Sequence, residues 1–164
     1  MEVAMEMKKD RGTPDTDVFW VVYDRESTVK YTNNLHQQAI DKAQRNKINV
    51  AISNVCFEIW ILLHFTNSVA QYSNCDDLLK KSKLKQELKE IGFNDYDKAN
   101  SHIFEQVLTS VTKAKDRAEK MNNATISGAK SGITEQKPYL LNPYTTVYKL
   151  LNAIDDFICP KKHS

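Results

Sequence analysis

The segment AISNVCFEIWILLHF covers residues 51–65, and from Val55 to Phe65 it carries only two ionisable side chains apart from its thiol, Glu58 and His64. A carboxylate inside the most apolar stretch of a chain restricts the fold severely. Burying it unpaired costs several kcal/mol, comparable with the whole stability of a modest domain. Something must compensate it, and the expectation is a cation.

A chain of 164 residues is expected to form one domain, and at this size roughly 70% of the unfolded surface can be buried. With 41% hydrophobic and 27% charged residues it has the composition of an ordinary globular protein. The apolar run is too short to span a bilayer and the N-terminus lacks a signal peptide's apolar stretch, so the cytoplasm is expected by default. Cys56, Cys75 and Cys159 are far apart with no CxxC pair, which reads as free thiols rather than a disulfide frame or zinc site. Lys80, Lys81, Lys83, Lys85 and Lys89 form a basic run, expected to be a solvated helix face, and the net charge of +2 advertises no nucleic acid.

Residues 1–16 are polar and hold at most a short helix before Gly12. Asp17 to Tyr23, DVFWVVY, is continuously β-branched, aromatic and apolar, which suits a central strand covered on both faces. A helix is expected from Asn33 to about Asn46, with Leu35, Ala39, Ile40 and Ala43 inward, then a second strand from Ile48 to Ile52; strand, helix, strand implies a parallel crossover. The quoted segment should then be a buried helix capped by Ser53 or Asn54. Further helices are expected from Leu78 to Ile91, stopping at Gly92, and over Ile103 to Ala118. Asn122 to Asn142 reads as a long loop. Pro143 should open a final helix with Val147, Leu150, Leu151, Ile154 and Phe157 inward, and the tail beyond Pro160 should fray. The result is one α/β unit over 1–160, with an α/β part over 1–66 and a helical part over 67–160. Two strands give too little sheet to cover so apolar a first strand, so a partner chain or further N-terminal sequence is expected to add more.

In open α/β sheets, ligands bind beyond the carboxyl ends of the strands. The first strand ends in Asp24-Arg25-Glu26, whose alternate residues face one side if the extended geometry continues. The second ends in Ser53-Asn54, with Glu58 about one helical turn on. Three such carboxylates would repel unless protonated or bridged by a divalent ion, and Mg²⁺ (or Mn²⁺) suits a site of few carboxylates, several waters and phosphate oxygens. Two plainer readings stay open: Asp-x-Glu as an ordinary turn, and Glu58 as a complement to a helix N-terminus, worth about 0.3–1 kcal/mol. His64 does not share a helix face with Glu58 and reads as a core histidine bonded to backbone, with Cys56, Phe57 and Trp60 as packing.

The strings VFWVVYDRES, AISNVCFEIWILLHF and NPYTTVYKLLNAI together resemble the RloB-like family, whose pattern is an apolar strand ending Asp-x-Asp, then Ser-Asn-Pro-Cys-Phe-Glu-x-Trp-x-Leu-Leu-His-Phe, then Asn-Pro-Ser-Thr-x-Val. The resemblance extends from about Asp17 to Ile154. Ser53, Asn54, Glu58 and His64 match the central motif, and Asn142, Pro143 and Thr146 the last. It implies a small parallel, Rossmann-like sheet of Toprim type and a metal-dependent nuclease from a prokaryotic restriction or abortive-infection locus. The metal would sit on Asp24, Glu26 and the added acid Glu58, with nucleic acid as substrate and an ATPase encoded alongside as partner.

Glu26 stands where the family has its second Asp, and Val55 where it has Pro. No Glu-Gly-x-x-Thr-Glu strand and loop precedes Asp17, so the chain reads as truncated at its N-terminus and inactive alone. The rival expectation is a non-catalytic module docking on the ATPase through its helical half. The residues leave homo-oligomerisation open.

Overall fold

The computed structural model describes residues 1–98 and 100–160. In chain order the elements are α1 (Glu2–Lys9), β1 (Trp20–Asp24), α2 (Asn33–Arg45), β2 (Asn49–Asn54), α3 (Glu58–Phe65), α4 (Cys75–Lys81), α5 (Leu84–Glu90), α6 (His102–Val107), α7 (Val111–Ser127), β3 (Tyr144–Thr145) and α8 (Val147–Ile158). The fold is α/β with a three-stranded mixed sheet in the order β1-β2-β3. β1 and β2 run parallel, with Trp20 opposite Asn49 and Asp24 opposite Ser53, as the strand–helix–strand pattern requires.

The third strand was not expected. Tyr144 and Thr145 pair antiparallel with Asn54 and Ser53, so the chain's own C-terminal motif supplies it. Pro143 therefore precedes a strand, and α8 begins later, at Val147. The lock is mostly side chain to backbone. Asn54 Nδ2 donates to the Leu141 carbonyl at 2.7 Å, and Asn122 both donates to Thr145 O at 2.7 Å and accepts from Thr145 N at 3.1 Å. Thr146 Oγ1 accepts from Ile52 N at 2.9 Å, and Ser53 Oγ meets Thr145 Oγ1 at 3.0 Å. These bonds satisfy backbone groups that a two-residue strand cannot pair by itself.

β1 is the sheet's edge, and its central residue Val22 is 51% exposed, so the expectation of a strand covered on both faces is corrected. Its neighbours are only half-buried because the single paired side faces β2. α2 is capped by the Thr32 side chain and buries His36, Ile40 and Ala43, while Leu35 points outward.

α3 begins at Glu58 rather than beside Ser53 or Asn54, which belong to β2, and it buries every residue except its last, Phe65. Around it α4, α5, α6, α7 and α8 contribute Leu78, Leu84, Leu88, Ile103, Ala114 and Val147 to one apolar core. Arg117 of α7 donates to the Leu63 and His64 carbonyls, both at 2.9 Å, closing the exposed end of the helix.

The expected single helix over Leu78 to Ile91 is two, α4 and α5, separated at Ser82. Gly92, at φ +97°, ends the second, as expected from a glycine stop. The helix expected from Ile103 breaks into α6, a 3₁₀ turn and α7, and α7 continues to Ser127, through the start of the segment read as a loop. In α8 only Val147 is buried, and Ile154 and Phe157 are 43% and 85% exposed rather than inward. The basic run over Lys80–Lys89 lies on exposed faces of α4 and α5. The tail beyond Pro160 lies outside the described residues, within which no helix is long and apolar enough to cross a membrane.

Candidate functional site

The carboxyl ends of β1 and β2 carry the acidic residues singled out above. Past the end of β1 the backbone bonding continues: Arg25 N donates to Ser53 O and Glu26 N to Val55 O, both at 2.8 Å. These two bonds tie the Asp24-Arg25-Glu26 turn to the β2–α3 junction, and so set Asp24 beside the start of α3.

Asp24 is half-buried. Burial first, then the charge of Glu58 and to a lesser degree that of Glu26, push its carboxyl up to about 6, against the pull of the Lys98 ammonium and the Phe57 amide. Glu26 does not continue the strand. Its φ of +59° lies in the left-handed region, unusual for a residue with a side chain, and its carboxylate turns back to Lys30 Nζ at 2.7 Å. A cavity of about 670 Å³ runs along the open edge of β1, bounded by Val22, Asp24, Glu26, Tyr31, His36 and Phe57 among others.

Glu58 is 1% exposed. The cation required by its burial is Lys98, whose Nζ lies 2.8 Å from Oε1; Tyr96 donates its hydroxyl to the same oxygen at 2.8 Å. Burial would raise the carboxyl, but the nearby Cys56 thiol, Lys98, Tyr96 and Cys75 outweigh it and hold Glu58 down at about 2. Lys98 responds in kind: burial opposes its charge, and Glu58 more than restores it, so its ammonium is held above the ordinary range. Oε2 has no hydrogen-bond partner. The two thiols lie near the carboxylate and stabilise its charge, yet neither makes a well-directed bond to that oxygen.

Cys56 Sγ, Glu58 and Cys75 Sγ form the one trio of histidine, cysteine or carboxylate donor atoms, among the described residues, that all lie within 4.8 Å of one another. Asp24 feels the charges of Glu58 and Glu26, but the three carboxylates do not close into such a trio. The Cys56 thiol is raised far above its ordinary value, first by hydrogen bonding with Cys75, then by burial and by Glu58.

The remaining residues of the motifs are structural. Ser53 and Asn54 fasten β3, as described above. His64 is a core histidine, its Nδ1 at 3.0 Å from Trp60 O and its ring edge-on to Trp60 at 4.8 Å, as its position on the helix suggested. Burial lowers its pKa.

Sequence reasoning missed Cys75, Tyr96 and Lys98, which come from beyond α3 and are joined to Glu58 only by folding. It also missed Arg25, the middle residue of the acidic turn. Arg25 is 2% exposed, and its guanidinium is held by carbonyl, amide and imidazole acceptors. Its guanidinium donates to Tyr139 O at 3.0 Å, Tyr31 O at 2.9 Å, Asn33 Oδ1 at 2.7 Å and His36 Nε2 at 3.2 Å. The His36 ring stacks between Tyr23 and Tyr139, at 5.8 and 5.9 Å. Burial and then the Arg25 charge lower the His36 pKa, keeping Nε2 free to accept.

A family model described as RloB-like protein matches residues 1–154, nearly the whole chain. The chain belongs to the RloB-like family. No curated protein and no solved structure matches it. The match covers the motifs that carried the resemblance, and in this RloB-like chain Ser53, Asn54 and Thr146 of those motifs build the β2–β3 clasp.

Proposed function

We propose that this RloB-like chain carries a divalent-cation site for phosphodiester cleavage, as part of a prokaryotic phage-defence system of the abortive-infection or restriction-associated kind. One observation supports the reading above the others: the Asp24 carboxyl at the end of β1, lifted to about 6 by burial and by Glu58 and Glu26. Besides burial, the charges of Glu58 and Glu26 raise it, and the Lys98 ammonium offsets this excess of negative charge only in part. A divalent cation would relieve that excess, and the residues fit one: Asp24 and Glu26 flank the cavity mouth, and Glu58 keeps one oxygen unpartnered. Asp24, Glu26 and Glu58 would hold Mg²⁺ or Mn²⁺, which when bound polarises a phosphodiester and stabilises its leaving oxygen. Lys98 and Tyr96 orient Glu58 through Oε1, and Phe57 closes one wall of the cavity in which a nucleic-acid strand would lie.

Calorimetric titration with Mg²⁺ and Mn²⁺ tests the site. The parent should bind, and Asp24→Asn and Glu26→Gln should each weaken binding; equal heats from all three would rule the site out. Cleavage of single-stranded DNA, duplex DNA and RNA, with and without a chelator, then identifies the substrate.

A second reading is favoured by Lys98 itself. Its ammonium already matches the Glu58 charge, so Glu58 can be buried with no metal at all. The chain would then be a non-catalytic module that docks on a partner ATPase. Pull-down of that ATPase surviving Asp24→Asn, in a protein that binds neither cation, would favour this alternative.

A further inference from the structure

We infer that Cys56, Glu58 and Cys75 form a binding site for a thiophilic divalent ion, zinc, which shares Glu58 with the Mg²⁺ site proposed above but needs neither Asp24 nor Glu26. The donors come from three places: Cys56 from the β2–α3 junction, Glu58 from the first turn of α3, and Cys75 from the first residue of α4. All three donor atoms lie within 4.8 Å of one another. A tetrahedral zinc ion places two thiolates and a carboxylate oxygen about 3.6–3.8 Å apart, so the donors need to close by at most about 1 Å. The separation in sequence hides the set, which matches no CxxC spacing.

The independent sign of a ligand is the division of labour on Glu58. Oε1 takes Tyr96 and Lys98, while Oε2, on a residue that is 1% exposed, receives no well-directed hydrogen bond. A buried carboxylate oxygen left without a donor is costly, and a metal ion is the partner that would remove the cost without moving the Oε1 contacts. The hydroxyl and ammonium on Oε1 then act as outer partners that orient the ligand. Charge agrees with this placement. Zinc with two thiolates and one carboxylate carries a net single negative charge, and the Lys98 ammonium beside Glu58, also 3.6 Å from Cys75 Sγ, offsets it. Thiolate donors choose zinc over Mg²⁺. Binding displaces one proton from each thiol, and those two protons pass to the buffer. Three protein ligands leave a fourth position for a water molecule.

The full chain, reduced and freed of metal with a chelator, is titrated with Zn²⁺ and separately with Co²⁺. The expected result is one ion per chain, proton release of about two per ion from buffers of different ionisation enthalpy, and a thiolate-to-cobalt charge-transfer band. Cys75→Ser should weaken zinc by more than about 100-fold, beyond the 10–100-fold effect of an outer partner. Cys159→Ser, at an exposed position, should bind as the parent does. Asp24→Asn should keep the cobalt band even where it abolishes Mg²⁺ binding, so failure of either site is read separately. Alkylation of the parent supplies a test free of folding artefacts: zinc should protect Cys75 and leave Cys159 reactive. Binding indifferent to Cys75→Ser, a cobalt spectrum without the thiolate band, or equal labelling of Cys75 with and without zinc would overturn the assignment.

Discussion

Burial and two neighbouring carboxylates lift Asp24 from an ordinary 3.8 to about 6, so the folded protein holds this proton more tightly than the unfolded chain does. The stability linked to the group is therefore complete below about pH 4 and is lost as pH rises through about 6. Asp24→Asn should stabilise the protein at pH 7.5 by about 1–2 kcal/mol, a figure reduced for partial solvent screening, and the gain should vanish near pH 4. Urea midpoints across that pH range measure it. Glu58 has the opposite sign. Its carboxyl is held at about 2 against an ordinary 4.5, so its contribution is present above about pH 4.5 and is lost as pH falls through about 2. Removing its partner should therefore show at neutral pH. Lys98→Met is expected to cost about 1–2 kcal/mol, less than a fully buried pair because the Lys98 side chain is 62% exposed. Adding Glu58→Gln should recover most of that loss, and a double variant no more stable than Lys98→Met would mean that Lys98 does not compensate Glu58. The sequence showed that Glu58 needed a cation, but not which one. Lys98 stands 40 positions away in a segment with no periodic signal, and nothing in the spacing joins it to α3.

At the level of elements, β3 is two residues long and is held largely by other residues' side chains. Asn122→Ala removes both of its bonds to Thr145 and strands a buried amide and carbonyl, so a loss of about 2–3 kcal/mol is expected, with an unchanged urea m value. A loss within about 0.5 kcal/mol, the range of an ordinary surface change, would show that the clasp is dispensable. Elements with a strong apolar signal were legible: α2 follows from its inward stripe, β1 and α3 from continuous apolar runs, and the parallel β1–β2 pair from the strand–helix–strand order. Elements set by tertiary bonding were not. Tyr144–Thr145 has too few residues to show a period of two, and α7 runs on through polar Asn122 and Asn123 because Asn122 faces β3 rather than water. Leu35 and Phe157 were misread for the complementary reason. Apolar side chains on a helix turn outward where no neighbouring element covers them, and the pattern alone cannot show which face is covered.

For the whole molecule, the acidic strand end and the helical half are mechanically one arrangement, since α3 contributes Glu58 to the first and forms the centre of the second. The outer edge of β1 borders the cavity beside the first. Val22→Lys, at a side chain already 51% exposed, is expected to change stability by less than about 0.5 kcal/mol and to leave the sedimentation coefficient unaltered. A larger loss would reveal a partner on that edge. How far the site could be read in advance follows the same division: Asp24, Glu26 and Glu58 were legible because strand ends and a charge in an apolar run are local signals, whereas Cys75, Tyr96 and Lys98 join them only through the fold. Everything proposed for catalysis rests on an Asp24 carboxyl raised by burial and by the charges of Glu58 and Glu26, and an NMR pH titration of its carboxyl carbon, with and without saturating Mg²⁺, measures that shift directly. The expected result is a midpoint near 6 without metal, reduced by Glu58→Gln and driven to the ordinary carboxylate range or below by Mg²⁺. A midpoint already at the ordinary value, unmoved by Mg²⁺, would contradict it.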